Sequence, residues 1–365
     1  MKLDVSRDSH QATKNYSGVI QQQGRVSTDA DWNEAQRIQS QIRQTAHQDI
    51  IGLSGAPRAN AGFRISAVSN PVGDPDLHIS AGRIYVHGTP ISLAEAHFYT
   101  EQDLLPGQSL PDVDGDYLAY LEVWQRGVTA LEDPRLREVA LGGIDTAGRS
   151  QSVAQVRLLP LTTGDYTAAS LPPEWTELLD DSLAGRLSVR TTADADIAAA
   201  GDSLCSVGAR GGYTGTDNRL YRIEIRAGGA PGTATFKWSR ENATLTTEWL
   251  ALDGNTLQIR ALGRDAQQSF RPGDWIEIDD EGLELEGRPG TLARVQDVVD
   301  TSITIDPDTL RHYDGAPGPN AAGGRALSLD EYTRGVRRVR RWNSTPGNGS
   351  TASGVITIPD TSATE

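Results

Sequence analysis

The sequence predicts a mainly β, multi-domain fold of short-strand sandwich or small-barrel modules, preceded by one N-terminal amphipathic α-helix. Short segments with alternating apolar and polar residues recur between residues 63 and 306. The 38 glycines and 18 prolines supply the turns that such strands need. One stretch near the N-terminus, residues 29–51, instead spaces its apolar residues by three and four, as the buried face of a helix does. The 365 residues suffice for about two domains.

The beginning of this helix is marked by the stretch "QQQGRVSTDADWNEAQRIQ". Asp29, Asp31 and Glu34 crowd its first turn beside Trp32. A hard cation needs more oxygen ligands, in a suitable geometry, than three neighbouring carboxylates offer. Carboxylates also favour the positive end of the helix dipole, and Thr28 or Asp29 can accept the free N–H groups of the first turn. We therefore interpret the acidic cluster as a helix start and Trp32 as its apolar anchor.

The apolar stripe of the predicted helix is narrow, because Gln, Arg and His fill most positions between its members. Such a helix lies on another surface rather than standing alone. We predict interface roles for Trp32, Ile38 and Ile42, and an end of the helix at Gly52. The stripe consists of Trp32, Ala35, Ile38, Ile42, Ala46 and Ile50.

The first β region contains two predicted strands about a His87-Gly88 turn in "LHISAGRIYVHGTPIS". The segment "GDYLAYLEVWQRGV" is apolar on both alternating faces, which is typical of a central strand. The segment "SVAQVRLLPL" predicts another strand. The following "PPEWTELLDDSLAG" predicts a short helix, and "ADADIAAAGDS" a weak second helix or a loop.

The second β region begins near Gly211. In "LYRIEIR", Tyr221, Ile223 and Ile225 alternate with charged residues, which predicts a buried apolar face and a solvated charged face. With "TFKWS" this segment predicts a hairpin. Residues 269–306 suit a small barrel or sandwich.

The C-terminal part of the sequence is rich in loop-forming residues after Asp314, and "GVITIP" predicts one more strand. The chain looks cut short, or its tail completes a fold elsewhere. We divide the chain into residues 1–56 (N-terminal arm and helix), 57–165 (first β domain), 166–205 (irregular, short-helix connector), 206–312 (second β domain) and 313–365 (loop-rich C-terminal tail with an arginine segment).

Composition excludes several function classes. A net charge of −15 argues against nucleic acid as a partner and repels anionic lipid. The N-terminus lacks the apolar core of a secretory signal, and no stretch reaches the ~18 apolar residues that a membrane span needs. We expect synthesis in the cytoplasm without membrane insertion, and assembly into a particle that is either released or membrane-anchored. Cys205 is the single cysteine, so neither an intrachain disulfide nor a cysteine-based zinc site is expected.

Catalytic and metal-binding motifs are not evident. In "DVDGDY", Asp112, Asp114 and Asp116 suggest calcium, but Gly115 falls fourth and Val123 occupies the twelfth position, so a turn is favoured. The six histidines show no metal-ligand spacing, and no HExxH, GxSxG or P-loop pattern occurs. The run "IEIDDEGLELE" could supply paired carboxylates for a glycosidase, yet a charged hairpin turn explains it equally well. We predict no enzymatic activity, no cofactor and no metal.

The segment "RGVRRVRRW" is the sole basic cluster of this acidic chain. Two interpretations stay open. The arginines dock onto an acidic neighbour or another copy of the chain, or they belong to a two-sided strand and reach solvent. The candidate interface residues of the segment are Arg337, Arg338, Arg340 and Arg341.

Several motifs resemble an uncharacterised domain family whose members accompany phage-tail-like contractile injection systems. They are "SRD", "YSGVIQQQGRVSTDADWNEA", "GGYTGTDNRLYRIEIRAGG", "TFKWSRENA", "FRPGDWIEI" and "VRRWN". The resemblance covers most of the chain. In that family a further segment usually follows the "RRWN…GVITI" region, so the resemblance implies that this last part is absent or that the domain is incomplete in this sequence. It carries over no catalytic residues.

The resemblance implies a structural role at the baseplate of a contractile particle, with a cage or shell around the spike as one form of it. It implies other baseplate or spike proteins and copies of the chain itself as partners. The alternative is a carbohydrate-binding or carbohydrate-cleaving tail protein, because seven tryptophans and ten tyrosines can furnish sugar-stacking platforms. Core packing is the usual role of such residues in alternating strands.

Overall fold

The computed structural model describes residues 1–112, 115–162, 164, 166–167, 170–183, 219–263, 265, 268–344 and 354–358. The chain forms two compact units, each assembled from separate parts of the sequence. The first consists of Met1–Leu110, Leu121–Val156 and Arg219–Glu365, and the second of Pro111–Tyr120 and Arg157–Asn218. The fold is mainly β, as predicted. In the described part of the chain, no helix is long and apolar enough to cross a membrane.

Helix α1, Asp29–Ile51, confirms the predicted N-terminal helix. Thr28 caps it: its side chain accepts a hydrogen bond from the Asp31 amide, and the Asp31 carboxylate accepts one from the Thr28 amide. The helix ends at Gly52, whose φ of 94° favours glycine. The buried residues of α1 are Ala30 and Ile38, so most of the predicted stripe is not covered by the chain.

The N-terminal arm, residues 1–28, lies against the first turns of α1. The amide and hydroxyl of Ser6 donate to the two carboxylate oxygens of Asp29 at 2.8 and 2.7 Å. Ser9 donates to Glu34 at 2.5 Å. The acidic cluster therefore caps the helix, which agrees with its interpretation as a helix start. It also holds the arm against the helix.

Two three-stranded sheets follow α1 in the first unit. The predicted turn at His87-Gly88 joins β4 to β5 as an antiparallel hairpin. The sheets have the orders β1-β4-β5 and β2-β3-β6. Their strands are β1 Ser54–Gly55, β2 Ile65–Ser69, β3 Pro75–Ile79, β4 Gly82–Val86, β5 Thr89–Leu93 and β6 His97–Phe98.

Strand β7, Tyr117–Val128, pairs with β10, Arg149–Pro160, in a sheet that has two strands among the described residues. The residues of β7 are mostly half-buried, and its position as a central strand stays a prediction. A small hairpin lies between them, with strands β8, Arg137–Glu138, and β9, Ile144–Asp145.

The second unit contains α2, Pro173–Leu183, at the predicted helix. The Tyr120 and Trp175 rings meet edge to face, 5.5 Å apart. Thr162 donates to Glu174 at 2.6 Å. The segment "ADADIAAAGDS", Gly185, and positions 113 and 114 of the acidic run lie outside the described residues.

A closed six-stranded barrel dominates the first unit, with strand order β13-β14-β17-β16-β15-β18. It confirms the module predicted for residues 269–306 and extends it at both ends. Its interior is apolar and includes Trp249, Ile276, Ile303 and Val339. The helix α3, Glu281–Leu285, follows β15 where the sequence suggested a charged hairpin turn. The strands are β13 Thr246–Asp253, β14 Thr256–Ile259, β15 Trp275–Asp280, β16 Thr291–Val299, β17 Ser302–Arg311 and β18 Arg337–Trp342.

A three-stranded sheet, here called the outer sheet, covers the outside of β15 and β18. It has the order β11-β12-β19, with β11 at Arg222–Ala227, β12 at Thr235–Ser239 and β19 at Ile356–Thr357. The hairpin of β11 and β12 and the last strand were both predicted. Short 3-10 turns occur at Ala12–Lys14, Tyr99–Glu101, Pro134–Leu136, Val139–Leu141 and Leu329–Glu331.

Candidate functional site

A layer of buried charges lies between the barrel and the outer sheet. Along β15, Ile276 and Ile278 belong to the barrel core. The residues that alternate with them, Glu277 and Asp279, therefore lie on the outside, facing the outer sheet. Ion pairs cross the layer; its members on β12, β15 and β18 are almost fully buried, and the others are partly buried. The charged layer consists of Lys2, Glu132, Glu224, Arg226, Lys237, Glu277, Asp279, Glu284, Arg338 and Arg340.

The centre of the charged layer is the ion pair between Lys237 of β12 and Glu277 of β15. The Lys237 ammonium also lies 4.3 Å from the centroid of the Trp342 ring. Glu277 accepts hydrogen bonds from Trp342 Nε1 at 2.9 Å and from the Gly290 amide at 2.8 Å. Burial alone would raise the pKa of Glu277, but the charges of Lys237, Lys2 and Arg226 hold it well below its ordinary value. Glu277 is therefore a fixed anion with satisfied oxygens.

Arg338 of β18 binds several carboxylates at once. Its Nε donates to Asp279 at 2.8 Å, and one terminal nitrogen donates to Glu284 at 2.6 Å and to Glu132 at 3.1 Å. Burial would raise the pKa of Glu284, but Arg338, Lys2 and Arg340 lower it from 4.5 to about 2. One guanidinium thus links the barrel, α3 and the chain that follows β7.

The start of the N-terminal arm is bound at the same layer. Lys2 Nζ lies 3.8 Å from Glu224 and 3.9 Å from Glu284. The Asn242 side chain donates to the carbonyl oxygens of Met1 and Leu3 at 3.0 and 2.9 Å. Burial lowers the pKa of the Lys2 ammonium. The arm therefore contacts the outer sheet, α3 and the segment that follows β12, as well as α1.

The chemistry available to the charged layer is that of a structural network. A general acid or base needs a pKa near the working pH and access to a substrate. Glu277 and Glu284 have lowered pKa values and are bonded to buried cations. Across the described ranges of the chain, no group of three or more His, Cys, Asp or Glu side chains converges as a metal site would require. The layer joins the arm, the outer sheet and the barrel.

The predicted arginine segment forms β18 and lies largely inside the protein. Arg338, Arg340 and Arg341 are buried, and Arg337 is half-buried. The alternative in which all these arginines reach solvent is wrong, because the outer sheet and loops of the same chain cover them. Arg340 donates to the Ala243 carbonyl and Arg341 to the Ser269 carbonyl. A role for the segment at an interface with a neighbour stays a prediction, and Arg337 is the member that keeps accessible surface.

The predicted residues of α1 are divided between core and surface. Ile38 is buried, whereas Trp32 is 66% exposed and Ile42 is 47% exposed. Trp32 therefore does not anchor α1 to the body of this chain. The interpretation of Trp32 as an anchor within the chain is wrong. Its role in contact with a neighbouring subunit stays a prediction.

The outer sheet presents an apolar face to solvent, which sequence reasoning missed. Tyr221, Ile223 and Ile225 are about half exposed, and the ladder places Ile223 opposite Trp238 and Ile225 opposite Phe236. The prediction of a buried apolar side and a solvated charged side on β11 is thus reversed. The alternation of residues revealed the strand, but only the charged layer determines which side is covered. We call these five residues the apolar face.

The hairpin of β8 and β9 carries a second apolar surface that the sequence analysis did not single out. Val139, Leu141 and Ile144 are 86, 58 and 56% exposed. The sequence does contain a signal for this surface, because residues 139–144 read "VALGGI" and no charged residue lies between Glu138 and Asp145. We call the three apolar side chains the apolar tip.

A cleft of about 440 Å³ lies near β3 and β5 in the first unit. Its walls are mostly apolar and include Ile79, Ile91 and Val156, with His97 and Asp103 at the rim. The His97 Nε2 to Asp103 Oδ2 distance of 3.8 Å is too long for a hydrogen bond. Its lining residues, all within the described chain, include neither Trp nor Tyr, so this cleft provides no indole or phenol ring for stacking a sugar.

Comparison with known protein families gives a match that covers most of the chain. A family model with the description "Family of unknown function (DUF6519)" matches residues 1–171 and 176–358. Searches of curated proteins and of solved structures found no match to the chain.

Proposed function

The chain belongs to DUF6519, a family of unknown function, and on that premise we propose that it is a structural subunit of a phage-tail-like contractile injection system. Its place is the baseplate, in a cage or shell around the spike. It acts without a catalytic centre, by binding other baseplate or spike proteins and copies of itself. The observation that carries the proposal is the exposed apolar surface of the N-terminal arm and α1.

That surface coincides with the most specific resemblance motif, "YSGVIQQQGRVSTDADWNEA". Ile20 and Val26 of the arm are each 86% exposed, and Trp32 follows on the first turn of α1 at 66%. Large apolar side chains grouped on a surface mark sites of protein interaction. Ser6 and Ser9 hold the start of the arm against α1, and Gln39 of α1 donates to the Ser17 carbonyl at 3.4 Å.

The proposal is tested by the variant Trp32→Ala in intact particles. We expect incorporation into particles to fall several-fold. The isolated variant should unfold within about 0.5 kcal/mol of wild type, because an exposed side chain contributes little to folding. The matched control is Val72→Ala, since Val72 is 82% exposed in the turn between β2 and β3. Normal incorporation of Trp32→Ala, or absence of the wild-type chain from purified particles, would refute the proposed role.

A carbohydrate-binding tail protein is the second candidate, and one observation favours it. The rings of Tyr221 and Trp238 lie nearly parallel on the apolar face, with an interplanar angle of 19° and centroids 6.2 Å apart. Such a platform can stack on the apolar side of a pyranose. Glycan-array binding by the isolated protein that is lost in Tyr221→Ala would favour this candidate over the structural role.

A further inference from the structure

The apolar cleft of the first unit is bordered by the outer edge of β5. In the described part of the chain, β5 pairs with β4 and is the last strand of its sheet. The register places Val86 opposite Thr89 across the two-residue turn, so these residues form a hydrogen-bonded pair. The backbone groups of the alternate residues, Pro90 and Ser92, therefore point away from β4. Pro90 lacks an N–H, as is usual at a strand edge. Since the consecutive residues 90–95 line the cleft, it follows this edge.

A second border of the cleft is the edge of β10, with which a side chain already pairs. Gln102 Nε2 donates to the Val156 carbonyl at 3.0 Å, and Gln102 Oε1 accepts from the Val156 amide at 2.7 Å. A residue of an antiparallel strand makes the same two bonds with its partner. Ser152 and Ala154 precede Val156 on the same edge and also line the cleft. The cleft is therefore bordered by two strand edges, one of which binds an amide group.

The side chains of the cleft combine an apolar floor with a negative rim. Ile79 and Ile91 are buried and belong to the floor. The lining, all of it within the described residues, contains no Lys or Arg, whereas Glu95 and Asp103 beside His97 are exposed carboxylates. The volume of about 440 Å³ lies within the roughly 300–1,000 Å³ of ligand pockets. The cleft therefore suits a ligand that places apolar groups inside and positive charge at the rim.

We propose that this cleft binds an extended segment of a partner protein, in which apolar residues alternate with Lys or Arg, as a strand added to the edge of β5. The backbone of the segment hydrogen-bonds to that edge, its apolar side chains lie on Ile79 and Ile91, and its cations reach the rim. A small apolar amine would fit the rim and the floor but would leave the outward backbone groups of Ser92 without a partner. The lining includes no residue of the arm or α1, so the inference goes beyond the proposed function and does not rest on it.

The test measures binding of the full-length protein to three fluorescein-labelled synthetic peptides by fluorescence anisotropy. The first, Thr-Val-Lys-Val-Arg-Val-Thr, has the proposed pattern. The second has Glu in place of Lys and Arg. The third is N-methylated at its five central residues, so it keeps the side chains but cannot donate to a strand edge. We expect saturable binding of the first peptide and at least about 10-fold weaker binding of the other two, because one meets like charges at the rim and the other loses ladder hydrogen bonds.

Variants of the cleft test the same contacts from the side of the protein. Ser92→Pro removes an outward N–H of β5 and should weaken binding of the first peptide at least about 10-fold. Glu95→Gln combined with Asp103→Asn should weaken it about 5-fold or more and make it less sensitive to salt. Glu101→Gln is the matched control, since Glu101 is exposed nearby but does not line the cleft. Urea midpoints show that each variant is folded, and the N-methylated peptide tests the same bonds as Ser92→Pro without altering the protein.

Several results would overturn the proposal. They are no binding of the first peptide up to about 1 mM, equal binding of the first and second peptides, or unchanged binding by the double rim variant. Equal binding of the first and third peptides would identify a site for amphipathic cations and reject an added strand. Particle incorporation of Trp32→Ala is a separate measurement, so a failure of the proposed function and a failure of this inference are distinguishable.

Discussion

The two faces of the outer sheet differ in what covers them. The inner face of β11 and β12 carries charged side chains, of which Lys237 is fully buried against the barrel and those of β11 are partly buried, and the outer face carries apolar side chains that are partly exposed to water. An ordinary sheet at a protein surface has the opposite arrangement. The difference teaches that ion pairs between the sheet and the barrel, rather than hydropathy, determine the orientation of this sheet. Its apolar side is therefore available for another molecule.

Breaking the central pair should give the largest effect on this arrangement. In Glu277→Gln, Lys237 keeps its charge in a buried site and loses its nearest counterion, with only Glu224 left at 3.7 Å, so we expect a loss of about 3–5 kcal/mol in the free energy of unfolding. Urea denaturation measures it. The double variant Lys237→Met with Glu277→Gln should recover part of the loss. Glu248→Gln is the control, since its partner Arg260 is largely exposed and such pairs contribute about 0–1 kcal/mol. Equal effects of Glu277→Gln and Glu248→Gln would contradict the charged layer as the cause of the orientation.

Lowering the pH should weaken the charged layer while leaving the apolar face unchanged. The folded-state pKa of Glu284 is about 2 against an ordinary value of 4.5. Its contribution is therefore complete above about pH 4.5 and is lost as the pH falls toward about 2, because the unfolded chain then binds the proton. The loss is on the order of 3 kcal/mol. The lowered pKa of Glu277 acts in the same direction, and the pKa of Asp279, raised by burial, acts in the opposite one.

Urea midpoints measured from about pH 6 to about pH 2 check this dependence. The variant Glu284→Gln should show a smaller change in unfolding free energy over that range than wild type. An identical slope for both proteins would show that Glu284 is not held by Arg338.

A smaller effect is expected where the arm meets the layer. Asn242→Ala removes the donor that binds the Met1 and Leu3 carbonyls, and we expect a loss of about 1–3 kcal/mol with faster amide exchange in the arm. The residue has φ of 52°, so strain from Ala contributes to the loss. Asn60→Ala is the matched control, since Asn60 is exposed at φ of 65°. If both variants lose the same stability and the arm exchanges as in wild type, Asn242 does not hold the arm.

Local chemistry made the N-terminal helix predictable. Thr28, Asp31 and Gly52 carry the signals of its start and end within a few residues, and the structure uses them. The hairpins around His87 and between β11 and β12 were predictable for the same reason, because their strands are adjacent in sequence.

The buried arginines of β18 and the apolar face were not predictable from local pattern. Arg338 pairs with Asp279, 59 residues earlier in the chain, and β18 pairs with β13 and β15 on its two sides. No short window of sequence contains these partners, so five arginines within eight residues resemble a solvated or docking segment. The side of β11 that is covered depends on the same distant contacts.

The position of β18 in the barrel sets an order on folding. Its neighbours β13 and β15 are translated well before it, and Thr246 binds the Val339 carbonyl across 93 residues of sequence. Until residues 337–342 leave the ribosome, the other five strands have two unpaired edges, and Asp279 faces no arginine. Closure of such a long-range pairing is slow. During that interval the nascent chain exposes an open sheet whose edges, β13 and β15, are free to pair with other chains.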